Sequence, residues 1–171
     1  LTEIRNAKLM GGIGAALSMI GGVAILGFAM KVLAVKEIAE ALGKEEIFKK
    51  YLLGVILWFI GSVGAALWMT GLIGASDIGM ILTGTIGVLI VVGVPLLILG
   101  GWLMKKSYDM IAEETGVKKF SDAGMAYFLG GLLAVVFIGF LILLIAWILE
   151  IVAFFSLPDE LEEPEGTALL A

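Results

Sequence analysis

Four apolar blocks, residues 9–33, 51–74, 78–104 and 124–155, take up most of the 171-residue chain. Each is longer than the roughly 20 residues a helix needs to cross ~30 Å of hydrocarbon. Helices, unlike open strands, satisfy every backbone donor and acceptor internally, as lipid requires. Hydrophobic residues make up 61% of the chain, against the ~45–50% usual in soluble domains. A soluble fold of this size could not cover its surface from the polar residues that remain. The expected fold class is therefore an all-α integral membrane protein with four transmembrane helices. A cleaved signal is not expected. Arg5 and Lys8 precede the first block, but it exceeds the ~7–15 residues of a signal's apolar region and no small-residue cleavage site closes it.

The spans repeat. Sliding the sequence by 73 places Leu9, Gly11, Ile13 and Gly14 on Leu82, Gly84, Ile86 and Gly87, and Ile25, Leu26 and Gly27 on Ile98, Leu99 and Gly100. Ile38, Ala39, Glu40 and Gly43 fall on Ile111, Ala112, Glu113 and Gly116. After a short insertion, Tyr51 and Gly54 meet Tyr127 and Gly130. One register kept across a span and a charged loop indicates a two-helix hairpin written twice. Residues 9–75 form the first unit, with spans at 9–33 and 51–74. Residues 76–157 form the second, with spans at 78–104 and 124–155. An amino-terminal segment (1–8) and an acidic tail (158–171) flank them. Two spans per unit return the chain to its starting side, so this is a parallel repeat about an axis along the membrane normal, unlike the inverted repeats of many transporters.

Both loops containing Ile-Ala-Glu must then share a side. Of eleven Lys and Arg residues, only Arg5 and Lys8 lie away from those loops. Basic residues concentrate in cytoplasmic loops, so the loops are expected in the cytoplasm, and the amino terminus and carboxyl-terminal tail outside, in a cell membrane. Within the loops, Ile38, Ala41 and Leu42 continue a helical stripe, and Gly43 and Gly116 stand where a left-handed residue would end each helix; Ile38, Glu40, Ile111 and Glu113 belong to the two matched hairpins. Ser121 or Asp122 is placed to cap the final helix. A first helix reaching Leu42 would be about 50 Å long.

Lipid tails are as apolar as Leu, so helix partners are chosen by close packing at small residues. Glycine numbers 24. Stripes of small residues recur at helical spacing: Gly14, Ser18 and Gly22; Ala66, Thr70 and Gly74; Gly79, Thr83 and Gly87. They are expected to form the tightest contacts, with the first and third stripes meeting across the pseudo-twofold axis and the second free either to pack beside them or to face another copy. Pro95 predicts a kink in the third span. Trp68, Trp102, Trp147, Tyr51, Tyr108 and Tyr127 fall near span ends, as an interfacial belt requires.

There is no His and no Cys, which excludes thiol chemistry, disulfides and ordinary zinc sites. No catalytic, cofactor or metal-binding residues are expected, and no nucleic acid partner. Intramembrane charge usually marks an ion or substrate path, and the centres of the four spans carry none. Lys31 is expected to snorkel to the cytoplasmic surface, and Glu150 to lie near the outer end of the last span. With no carboxylate at mid-depth, secondary active transport is not expected. Asp159, Glu160, Glu162, Glu163 and Glu165 in the tail account for the net charge of −5.

With Gly-Gly-Ile-Gly at 11–14, Ile-Ala-Glu through Gly-Val-Lys-Lys-Phe at 111–120, Ile-Ala-Trp-Ile-Leu at 145–149 and Ala-Phe-Phe-Ser at 153–156, the chain resembles a family of uncharacterised archaeal and bacterial membrane proteins, domain of unknown function 996. The resemblance implies no activity, ligand or site residue. The expected role is that of a structural or accessory membrane protein, not an enzyme, which self-associates or serves as a subunit of a membrane complex. The alternative is a passive channel for a small neutral solute, with Ser18, Ser62, Thr70, Thr83 and Thr85 as its polar material.

Overall fold

The first apolar block does not cross once; it folds back on itself. The computed structural model of the chain describes residues 2–74, 92–133 and 138–161, with residues 63–74 described by backbone alone. Helix α1 (Arg5–Leu17) ends at Ser18, a 3₁₀ turn follows at Gly21–Val23, and α2 (Ala24–Ala41) returns antiparallel to α1. Ser18 turns its hydroxyl onto the Ala15 carbonyl at 2.8 Å, and the Gly21-Gly22 pair beyond it has poor helix propensity. Closure is permitted by Gly14 and Gly27, where the two backbones touch. A Cβ on Gly27 would lie 2.3 Å from the Ser18 nitrogen and 2.6 Å from the Gly14 carbonyl oxygen. Neither the single span over 9–33 nor the 50 Å rod to Leu42 is formed.

Helix α3 (Glu45–Gly74), at 30 residues, is about 45 Å long. It packs along α4 (Val94–Thr115), with the Gly54 carbonyl 2.7 Å from where a Gly100 Cβ would stand. The last apolar block is again two helices. Helix α5 (Lys119–Leu132) and helix α6 (Ile138–Phe155) run antiparallel, closing at Gly130 against Leu143 at one end and at Phe120 against Phe154, ring centroids 5.1 Å apart, at the other. The architecture is all-α, a long central pair flanked by two helical hairpins. Among the described residues one helix, Ile138–Phe155, is long and apolar enough to cross a membrane.

These folds-back move the ends of the chain. Strand β1 (Thr2–Glu3) pairs antiparallel with β2 (Glu160–Leu161), and the Ile4 amide donates to the Asp159 carbonyl at 2.9 Å. Lys8 Nζ lies 2.9 Å from Asp159 Oδ1. That hydrogen bond and charge hold the Asp159 carboxyl below its usual range. Ile4, Leu157 and Leu161 are buried beneath this clasp, so the segments before residue 9 and just after 157 pack on the bundle. Because Phe154 touches Phe120 and Gly11, residues 2–4 and 157–161 lie at the same end of the bundle as the two loops. The expectation that ends and loops lie opposite each other counted each broken block as one crossing.

The loops themselves behave as expected. Gly43 and Gly116 take φ values of 64° and 72°, the left-handed conformation that closes each helix. Lys44 Nζ reaches Glu114 Oε1 at 2.5 Å, so the two turns sit side by side. Ser121 does not cap α5. It donates to Asp109 at 2.7 Å, and no side chain caps the α5 start at Lys118. Pro95 lies in the first turn of α4, where its missing N–H costs nothing, directly after a π-helical step at residues 92–93. Residues 75–91, which precede that step in the expected kinked span, lie outside the described residues.

Small residues thus close hairpins. Gly27→Ala is expected to destabilise the protein by about 1–3 kcal/mol through backbone overpacking. Gly22→Ala, where nothing lies within 4 Å, should leave stability nearly unchanged. Thermal unfolding in detergent compares the two directly.

Candidate functional site

Among the described residues a polar cluster lies inside the bundle, where four helices meet. Lys31 on α2 and Glu150 on α6 are each 0% exposed. Lys31 Nζ donates to Glu150 Oε2 at 2.9 Å. Tyr127 on α5 donates its hydroxyl to the same oxygen at 2.6 Å, and Tyr108 on α4 donates to Oε1. A buried carboxylate is costly unless it is paired and hydrogen-bonded. Glu150 meets both conditions with three donors from three other helices. The Lys31 ammonium also stands 4.4 Å from the Phe28 ring centroid, a favourable placement over an aromatic face.

Aromatic packing seals the cluster. Tyr51 stacks on Tyr108 at 5.6 Å, Tyr108 meets Phe120 edge-on at 5.4 Å, and Phe120 meets Phe154. Toward the loop end, Ile38, Ile47 and Ile111 form a fully buried layer. Glu150 precedes the end of α6 by five residues, so the cluster lies roughly 8 Å inside the charged end of the bundle. Tyr51 Oη, also buried, has no hydrogen-bond partner among the described residues.

Several expectations about charged and aromatic residues are corrected here. Lys31 does not snorkel, because α6 brings an anion to it. Glu150 lies at the loop end of α6, since α6 is the returning arm of a hairpin. Tyr51, Tyr108 and Tyr127 are core residues rather than a belt. Trp102 is 40% exposed, with Lys106 Nζ 4.4 Å above its ring.

The small-residue stripes fare unevenly. Gly14 and Ser18 are buried, but against α2 of their own hairpin, and so are not free to meet a symmetry-related stripe. Gly22 is exposed in the turn. The side chains of Ala66 and Thr70, with Gly74, fall outside what is described, as do Gly79, Thr83 and Gly87. In the loops, Ile38 and Ile111 are fully buried. Glu40 and Glu113 are exposed, with Glu40 3.6 Å from Lys36.

The repeat does not duplicate the cluster. At a shift of 73, Lys31 corresponds to Met104 and Tyr108 to Val35. The signal available in the sequence was different: two opposite charges, each in an apolar block, 119 positions apart.

Comparison with known proteins places this fold in a family. The chain belongs to the family described as a protein of unknown function (DUF996), which matches residues 23–148. The shared region therefore includes the 111–120 run and most of 145–149, while Gly-Gly-Ile-Gly at 11–14 and Ala-Phe-Phe-Ser at 153–156 lie outside it. An uncharacterized protein of Methanocaldococcus jannaschii is 39% identical, with the alignment covering 94% of this chain and 96% of the relative. No solved structure matches the chain significantly.

Proposed function

We propose that this is a multi-pass protein of the cell membrane, built from a central helix pair and two re-entrant hairpins, whose role is structural or accessory. The observation that carries the reading is the saturation of Glu150. Three donors from three other helices fill its carboxylate, and no solvent reaches it. A carrier group has to exchange a proton or ion with water, whereas this arrangement fastens the hairpins to the centre. Outward-facing Ile25, Leu26, Leu33, Phe59, Ile60, Leu141 and Ile145 give the bundle an apolar flank suited to lipid and to a membrane partner or second copy.

The charge distribution supports a cytoplasmic position for the loops. With residues 2–8 at the loop end, Arg5 and Lys8 join the eight basic residues beside the loops, Lys31 being buried against Glu150, and the two exceptions to the positive-inside pattern disappear. A passive solute pathway draws little support from the polar residues that are described. Ser18 and Ser62 donate to Ala15 and Phe59 carbonyls in their own helices; the side chain of Thr70, and Thr83 and Thr85, fall outside the described set.

Gentle-detergent purification from the native host, combined with flux assays in proteoliposomes, tests the proposal. A co-purifying membrane protein at fixed stoichiometry, or a defined multimer, together with no proton or solute flux, is expected. Proton flux that Glu150→Gln abolishes while the fold survives would replace this reading with a carrier.

A further inference from the structure

Between α4 and α5, beside the loop that joins them, lies a cleft of about 580 Å³, within the roughly 300–1,000 Å³ range of small-molecule sites. Its floor is polar and internally matched. Asp109 accepts from Lys105 Nζ at 2.5 Å on one carboxylate oxygen and from the Ser121 hydroxyl at 2.7 Å on the other. Its rim is not matched. Glu113 and Lys118 both line the cleft and are exposed, and among the described residues neither side chain has an ion-pair or hydrogen-bond partner.

The repeat supplies the comparison. Ala39 and Glu40, the counterparts of Ala112 and Glu113 at the shift of 73, line a smaller cleft of about 300 Å³ between α2 and α3. There every charge is matched within its own helix, Glu40 with Lys36 at 3.6 Å and Glu45 with Lys49 at 2.8 Å. In the second unit Asp109 stands at the position of Lys36. Glu113 has therefore lost its lysine and meets a like charge one helical turn back, an unfavourable spacing. A ligand that answers both rim charges carries a cation and an anion together. Deeper along α5 the surface turns apolar. Met125 and Leu129 follow Ser121 at four-residue spacing, on one face of the helix, and both are exposed.

We propose that the α4–α5 cleft holds the zwitterionic head of a membrane lipid, its phosphate on Lys118 and its primary ammonium on Glu113, with a hydrocarbon chain lying along Met125 and Leu129. Lys105 is already matched by Asp109, so a head with a second negative charge finds no further free cation in the cleft. This inference rests on the membrane reading above.

The test titrates full-length protein in maltoside detergent with dihexanoyl-phosphatidylethanolamine and follows bound lipid by phosphorus NMR, with protein-free micelles as the blank. Saturable binding is expected. Dihexanoyl-phosphatidylcholine, whose quaternary ammonium offers no N–H to Glu113, should bind about tenfold more weakly, equivalent to ~1.4 kcal/mol. Glu113→Gln should remove that preference, and Lys118→Gln should weaken binding of both lipids. Both positions are exposed, so the fold is expected to survive either change. Glu40→Gln, in the equivalent cleft of the first unit, is the control and should alter neither affinity. Equal affinity for the two heads, tighter binding of dihexanoyl-phosphatidylglycerol, or indifference to both variants overturns the proposal. Free phosphoethanolamine binding as tightly as the lipid overturns the assignment to a lipid. Carbonate extraction of native membranes is read separately. Release of the protein there would refute the membrane reading, whereas retention with no saturable binding refutes the cleft alone.

Discussion

Glu150→Ala is expected to lower the unfolding free energy in detergent by about 3–5 kcal/mol, the usual cost of removing one partner from a buried ion pair. The substitution leaves the Lys31 ammonium at 0% exposure with no anion, and deprives Tyr108 and Tyr127 of their common acceptor. Four helices are affected together. Lys31→Met should cost less, since Glu150 retains two tyrosine donors. The double variant Lys31→Met with Glu150→Gln removes both charges while a Gln oxygen still accepts from a tyrosine, so it should be more stable than Glu150→Ala alone. Neutralising both members of a buried pair is often nearly free even when breaking it is not. A double-mutant cycle by thermal unfolding measures the coupling. Glu40→Gln, which removes an exposed partner of Lys36, serves as the control and should change stability by less than about 1 kcal/mol. A loss at Glu150 no larger than this control would mean that the cluster does not fasten the hairpins.

What could be read from the sequence divides along a physical line. Gly43 and Gly116 were legible because a helix-ending left-handed glycine is local chemistry, set by the residues on either side. The side-by-side loops were legible from the repeat, since two equivalent turns joined by whole units must return to one end. The hairpins were not. A hydropathy window sums over twenty residues and records only that 9–33 and 124–155 are apolar. It cannot register that Gly14 finds Gly27 rather than another span, although Ser18 and Gly21-Gly22 mark a weak point. The ion pair was hidden by that same error. With α6 taken as the lower half of one long span, Glu150 fell on the far side from Lys31, and each charge looked like a stray near a surface. Once α5 and α6 are antiparallel arms, Glu150 reaches the level of Lys31, and the tyrosines of α4 and α5 converge on it.

Cysteines placed at Thr2, Lys44 and Ser156 are all expected to resist an impermeant thiol reagent in intact cells and to react after permeabilisation. The native chain has no cysteine, so each label reports one site. Thr2 lies in the strand paired with residues 160–161, Lys44 in the first loop and Ser156 just past α6, all at the end where the loops and the clasp gather. If each apolar block instead crossed once, Thr2 and Ser156 would label from outside and Lys44 would not, so the two arrangements predict opposite results at two positions. A cysteine at Gly22 adds a measure of depth. Helix α1 has 13 residues and reaches about 20 Å, short of the ~30 Å hydrocarbon thickness. The turn at Gly22 should therefore stop inside the membrane and resist impermeant reagent from both faces, while a small permeant maleimide still reaches it. Labelling of Gly22→Cys from outside by the impermeant reagent would show that the hairpin emerges on the far side, and the re-entrant arrangement would then be wrong even if both chain ends proved cytoplasmic.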